Sequence, residues 1–145
     1  MNPIENLKQE HEDIERELIE LEAIMNSEIV NYGNLTHTFK KLHVVWNHHE
    51  EKEEKIFPVL KKDRIIIPVE IMQFEHKLLK PHKKAMYDAI NSGSEFLMKK
   101  ALDENCSVII KTLRKHIKDE DEVLYTITLE EFSPQELEEV WKMIE

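Results

Sequence analysis

The chain has little of what many chemistries require. Its single cysteine can form no internal disulfide, and with one thiol there is no thiolate set for a structural zinc finger. That residue, Cys106, lies inside a helical pattern with no CxxC or basic cluster to activate it, and reads as a small core residue. Two glycines and five prolines leave few turns, no segment is low in complexity, and strands are not expected. Basic residues are the minority charge, 20 against 30 acidic, and a formal net charge of −10 disfavours nucleic acid and anionic membrane surfaces. Apolar runs such as Ile65 to Ile67 are far too short to span a bilayer, and the start MNPIENLKQEHED lacks the apolar core of a signal peptide. These absences predict a cytoplasmic chain with no membrane segment. What remains is rich in Leu, Ile, Glu and Lys, and 145 residues can bury a core unaided, so residues 1–145 are expected to form one domain.

Helical punctuation divides that domain. Breaks are predicted at Asn31–Asn34, Lys62–Pro68, Asn91–Ser94 and Thr128–Ser133, leaving four long segments and a short closing one. Asn2 with Pro3 and Glu5, and Ser133 with Pro134 and Glu136, carry helix-start signatures. The expected fold class is all-α, with the last helix packed on the bundle through Leu137, Val140, Trp141 and Ile144. Pro58 and Pro81 should bend their helices without ending them.

Each long segment carries an inward stripe spaced three and four residues apart. The first reads Ile4, Leu7, His11, Ile14, Leu18, Leu21, Met25, and the second Phe39, Leu42, Trp46, His49, Glu53, Ile56, Leu60. The third reads Val69, Met72, His76, Leu79, Lys83, Met86, Ile90. The fourth reads Leu102, Cys106, Ile109, Leu113, His116, Glu120, Val123, Ile127. A histidine interrupts every stripe, and in the second and fourth a glutamate follows it by four residues. Burying such groups unpaired costs several kcal/mol each, so six at core positions imply a shared cationic partner. Imidazole with carboxylate suits iron, manganese or zinc better than calcium or magnesium. Each His-x-x-x-Glu pair sits on one helical face, about 5–6 Å apart at the β-carbons, so that one member can cap a metal while the other bridges two. The predicted ligands are His11, His49, Glu53, His76, His116 and Glu120. Phase favours His49 over His48, and His37 and His43 read as surface or rim residues. One distance fits poorly: counted from the third turn, His76 and His116 differ by about six residues, roughly 9 Å of helix.

The strings QEHEDI, HHEEKEEKIFPVL, FEHKLL and KHIKDEDEVLY, in that order, resemble the hemerythrin-like, or HHE cation-binding, domains over nearly the whole chain. The resemblance implies an up-down four-helix bundle, here with a short C-terminal fifth helix, around a non-haem di-iron centre. Two iron ions, with zinc or manganese as substitutes, would be held by His11, by His49 with Glu53, by His76, and by His116 with Glu120, or with Asp121 as in members that place an aspartate five residues after the histidine. Oxygen-carrying members have a second histidine one turn along the third helix, where this chain has Lys80. The vacancy falls to Glu50, as in relatives that recruit an extra carboxylate, or to His82 if Pro81 turns it inward. More oxygen and less nitrogen in the shell favour the ferric state. The expected function is therefore sensing or handling of oxygen, nitric oxide, redox state or iron, with a diatomic ligand or an exogenous anion at the metal, rather than catalysis. A di-iron oxidase or peroxidase, an iron-sulfur-cluster repair factor and an oxygen-binding hemerythrin proper are the alternatives. With no output module, any signal passes through a partner such as a redox protein, and Ile65–Ile67 suggests either a capping loop or a homodimer contact.

Overall fold

The computed structural model describes residues 2–61 and 68–145, so Ile65–Ile67 and most of the second predicted break lie outside the described residues. No strand occurs among them. The elements are α1 (Pro3–Met25), α2 (Tyr32–Leu60), α3 (Val69–Ser92), α4 (Glu95–Ala101), α5 (Ser107–Asp119), α6 (Tyr125–Glu131) and α7 (Pro134–Ile144). From α4 to α6 the helix never stops. It is widened twice into a π turn, at Leu102–Cys106 and at Glu120–Leu124.

The starts are the ones the side chains dictate. Asn2 accepts from the Ile4 amide at 2.9 Å, Asn31 from Asn34 at 3.0 Å, and Ser94 from Leu97 at 3.2 Å. Ser133 and Glu136 close a reciprocal capping box, both bonds 3.1 Å. Each side-chain cap contributes about 1 kcal/mol by satisfying an otherwise orphaned amide. Gly93 ends α3 at φ 69°, a conformation that costs a residue without a Cβ least. Helices α2 and α3 continue through Pro58 and Pro81. The last predicted break shrinks to Phe132 and Ser133, because α6 reaches Glu131.

Helix α1 packs on α2, α2 on α3, α3 on α5, and α5 back on α1, while α7 lies across α1 and α2. The apolar interior falls into two clusters. One holds Ile14, Leu18, Phe39, Leu42, Trp46, Leu79 and Leu113; the other holds Ile4, Leu7, Ile56, Phe57, Met72, Leu124 and the α7 residues Leu137, Val140 and Ile144. Along every one of the four long helices the changeover comes at the polar positions: Leu7 and Ile14 flank His11, Trp46 and Ile56 flank His49 and Glu53, Met72 and Leu79 flank His76, and Leu113 and Leu124 flank His116 and Glu120. A buried polar layer thus crosses the interior at one level.

The second π turn changes the predicted stripe. An α-periodic reading continues from Glu120 to Val123 and Ile127, yet Val123 is exposed, Ile127 is only partly buried, and Leu124 and Thr128 are fully buried. A π turn adds one residue to a helical turn, so everything after Glu120 is displaced by one position. The first π turn likewise puts one extra residue between the third turn and His116, taking up part of the axial offset between His76 and His116.

Candidate metal centre

Six side chains from five elements meet in the polar layer: His11 of α1, His49 and Glu53 of α2, His76 of α3, His116 of α5, and Glu120 at the start of the second π turn. All are buried, Glu53 and Glu120 at 0% exposure. They form two overlapping groups. In one, donor atoms of His11, His49, Glu53 and Glu120 lie within 4.8 Å of one another; in the other, the same holds for Glu53, His76, His116 and Glu120. The two glutamates are therefore common to both. Glu53 Oε1 stands 3.2 Å from His49 Nε2 and 3.4 Å from His76 Nε2. Glu120 Oε1 stands 3.1 Å from His11 Nε2 and 3.3 Å from His116 Nε2.

The outer nitrogen of every histidine is held by a carboxylate. Nδ1 of His49 bonds Glu10 at 3.0 Å, His76 bonds Glu54 at 2.8 Å, His116 bonds Glu75 at 3.3 Å, and His11 bonds Asp121 at 2.8 Å. With an acceptor at Nδ1, the proton sits there and the Nε2 lone pair points inward, the tautomer a metal ligand needs. The order is cyclic: α1 braces α2, α2 braces α3, α3 braces α5, and the second π turn braces α1. Each brace is the sequence neighbour of an inward-facing residue, Glu10 beside His11, Glu54 beside Glu53, Glu75 beside His76 and Asp121 beside Glu120.

The electrostatics of the layer are those of carboxylates that keep protons on their imidazoles. Burial opposes the charge on His116, but Glu120 and Glu75 raise its pKa to about 10. Burial likewise opposes His49, and Glu53, Glu10 and Glu120 override it to push the pKa well up. His11 and His76 are raised for the same reasons. Glu120, against its own desolvation, is held well below the usual carboxylate range by Glu53, His116 and His11.

The donors fit a cation better than they fit one another. Glu53 Oε1, Glu120 Oε2 and His116 Nε2 are buried with no hydrogen-bond partner among the described residues. Glu53 Oε1 and His116 Nε2 keep only the ion-pair contacts given above, and buried groups so incompletely satisfied are rare unless an ion or water completes them. His11 Nε2 and His49 Nε2 lie 3.0 Å apart with both Nδ1 atoms already committed, a separation close to that of two nitrogens about 2.1 Å from one metal at a right angle. Two nitrogens and two shared oxygens per position form the mixed shell of iron, zinc or manganese.

The remaining candidates lie outside this shell. Asp121 braces His11 from a position 38% exposed. Glu50 lies at the rim, its Oε1 3.7 Å from His76 Nδ1 and its Oε2 bonded to Lys83. His82 turns to Asn105 at 3.0 Å, and Lys80, His48 and His37 are exposed. His43 is half-buried, stacked on Tyr87. Pattern reasoning missed the braces Glu10, Glu54 and Glu75, although the acidic residue beside each inward position was their signal. Tyr125 belongs to the buried core, and the π turn also brings its ring 5.3 Å from His11 in a stacked arrangement, with the hydroxyl 3.0 Å from Glu53 Oε2.

Residues 2–128 match the family model described as the hemerythrin HHE cation binding domain, a span that contains all six residues and all four braces. No curated protein and no solved structure matches the chain.

Proposed function

Because the chain belongs to the hemerythrin HHE cation-binding family, we propose that it is a non-haem di-iron protein of the cytosol that senses or handles oxygen, nitric oxide, redox state or iron. The reading includes an up-down four-helix bundle closed by α7, and six ligands: His11, His49, Glu53, His76, His116 and Glu120. The observation that carries it is the sharing of Glu53 and Glu120 between two histidine pairs, with Glu53 Oε1 standing 3.2 Å and 3.4 Å from a histidine of each, while the buried Glu120 Oε2 has no hydrogen-bond partner among the described residues. Iron at such a centre would supply a redox-active pair with room for a small exogenous ligand. The protein's part is to hold four Nε2 lone pairs inward through their carboxylate braces and to keep bulk water out with the two apolar clusters. Tyr125 fixes Glu53 by its hydroxyl. Four histidines where an oxygen carrier has five leave less nitrogen in the shell, which favours the oxidised state and weighs against reversible oxygen carriage. Lys80, exposed where a fifth histidine would stand in a carrier, weighs the same way.

Anaerobic reconstitution with ferrous iron followed by exposure to oxygen tests this. Two irons per chain, one for each donor group, and a new near-ultraviolet absorption are expected. Fewer irons with no spectral change would overturn it.

An oxidase or peroxidase is the second reading, favoured by one observation: the Tyr125 hydroxyl lies 3.4 Å from His11 Nε2 as well as on Glu53, so a phenol faces the centre. Peroxide consumption no faster than that of free iron would eliminate it.

A further inference from the structure

The inward stripe of α3 is broken by one cation. Lys83 follows His76 and Leu79 on the buried face, where Met86 and Ile90 continue, and is only 15% exposed. Its ammonium lies 4.5 Å from the centroid of the Trp46 ring and 3.1 Å from Glu50 Oε2. The other oxygen of Glu50 is 3.7 Å from His76 Nδ1, the atom that Glu54 Oε1 approaches to 2.8 Å. Two carboxylates therefore converge on the outer edge of the same imidazole whose inner nitrogen faces the centre. His76 is also the most exposed of the four histidines, at 7%.

Two cavities meet at this point. Outside, a groove of about 380 Å³ between α2 and α3 is lined by Asn47, Glu50, Glu51, Glu54, Lys55 and Lys83. Inside, a closed chamber of about 10 Å³ has Glu50 again in its wall, together with Glu53, His76 and His116. Glu53 and His116, both more than nine-tenths buried, line that chamber, and Glu53 Oε1 and His116 Nε2 make no hydrogen bond among the described residues, only ion-pair contacts within the layer. Glu50 is thus the common wall, and Lys83 neutralises it.

The geometry points to this groove as the port by which a divalent cation reaches the centre, with Glu50 and Glu54 as transient outer ligands and the Lys83 ammonium as a removable plug. The inference rests on the metal-centre reading above. An arriving cation exchanges with the ammonium on Glu50, and the long flexible lysine stem lets the head move into the groove while its carbons stay on Trp46. The cation then passes the edge of His76 to Glu53 Oε1, which makes no hydrogen bond among the described residues. While the ammonium is in place, its charge at the mouth of a low-dielectric opening repels further cations.

The test follows loading of the metal-free full chain with cobalt(II), by its visible absorption in stopped flow, and release to a chelator. Lys83→Met keeps the apolar stem and removes the plug; Lys84→Met makes the same change in net charge at a surface lysine paired with Asp88. Loading of Lys83→Met is expected to be roughly five- to ten-fold faster, with release faster as well, and Lys84→Met within about two-fold of the parent. Lys83→Gln is a second plugless variant should the methionine variant fold poorly. Parental rates in both Lys83 variants, or equal acceleration in Lys84→Met, would overturn the port. Faster loading with slower release would do the same, since it marks a charge that tunes affinity without blocking a path. If the parent chain takes up no cobalt at equilibrium, it is the metal-centre reading that fails.

Discussion

The hydroxyl of Tyr125 donates to Glu53 Oε2 at 3.0 Å, tying the start of α6, just past the second π turn, to the carboxylate that lies between two histidine pairs. Tyr125→Phe preserves the ring on His11 and leaves one more buried carboxylate oxygen unpaired. An unsatisfied group of this kind costs about 1–3 kcal/mol, so the variant should unfold at lower denaturant while still binding metal. Equilibrium unfolding beside elemental analysis checks both halves; unchanged stability would show that the bond contributes nothing.

Sharing makes the ligands unequal. Glu53→Ala or Glu120→Ala removes a donor from both groups, whereas His11→Ala or His76→Ala removes one from a single group. The glutamate variants should therefore lose most bound metal and the thermal stability that goes with it, while each histidine variant keeps a substantial fraction. Equal losses across the four would refute the bridging arrangement.

Protons and metal compete for the same nitrogens. In the metal-free chain His116 is raised from 6.5 to about 10, so its stabilising effect is complete below pH 6.5 and is lost as pH rises toward 10. Glu120 is lowered from 4.5, so its contribution is present above that value and is lost as pH falls through its folded pKa. The layer should stabilise the metal-free protein most between about pH 4.5 and 6.5. Metal affinity should run the other way on the alkaline side, rising with pH as the imidazoles give up protons, and binding in weak buffer should acidify the solution. Urea midpoints against pH, with and without metal, would separate the two trends.

The braces predict a graded effect. Glu10→Ala or Glu75→Ala frees Nδ1 of His49 or His116 and lets the ring choose the wrong tautomer, which should weaken metal binding about 10- to 100-fold without removing a ligand. Chelator competition reads this directly. Alanine at Glu12, an exposed residue of α1 just past His11, should leave affinity unchanged.

The stripe logic located the six inward residues because burial forces polar groups into the same phase as their apolar neighbours. It failed where the helix itself changed pitch. Nothing in Glu120–Leu124 announces a π turn, so an α-periodic stripe runs on to Val123 and Ile127 where the buried positions are Leu124 and Thr128. The axial mismatch between His76 and His116 was the one outward sign that α4 to α6 is not a uniform helix. Lys83 posed the opposite problem: its break in the stripe was plain, but only the positions of Trp46 and Glu50 explain it. The braces were legible as acidic neighbours, yet which histidine each one serves depends on the packing of the next helix.

The changeover between the two apolar clusters has a consequence for how the chain melts. Each cluster is small, and between them lies a layer held together in the metal-free state by hydrogen bonds and ion pairs that water can replace. A cation pair would weld that seam, so one cooperative transition is expected for the loaded protein and a broader or double one for the stripped protein, with the half built on α7, Leu124 and the ends of α1 and α2 loosening separately from the other. Calorimetry on both forms would show it, and a single sharp transition in each would mean that the helices alone couple the halves.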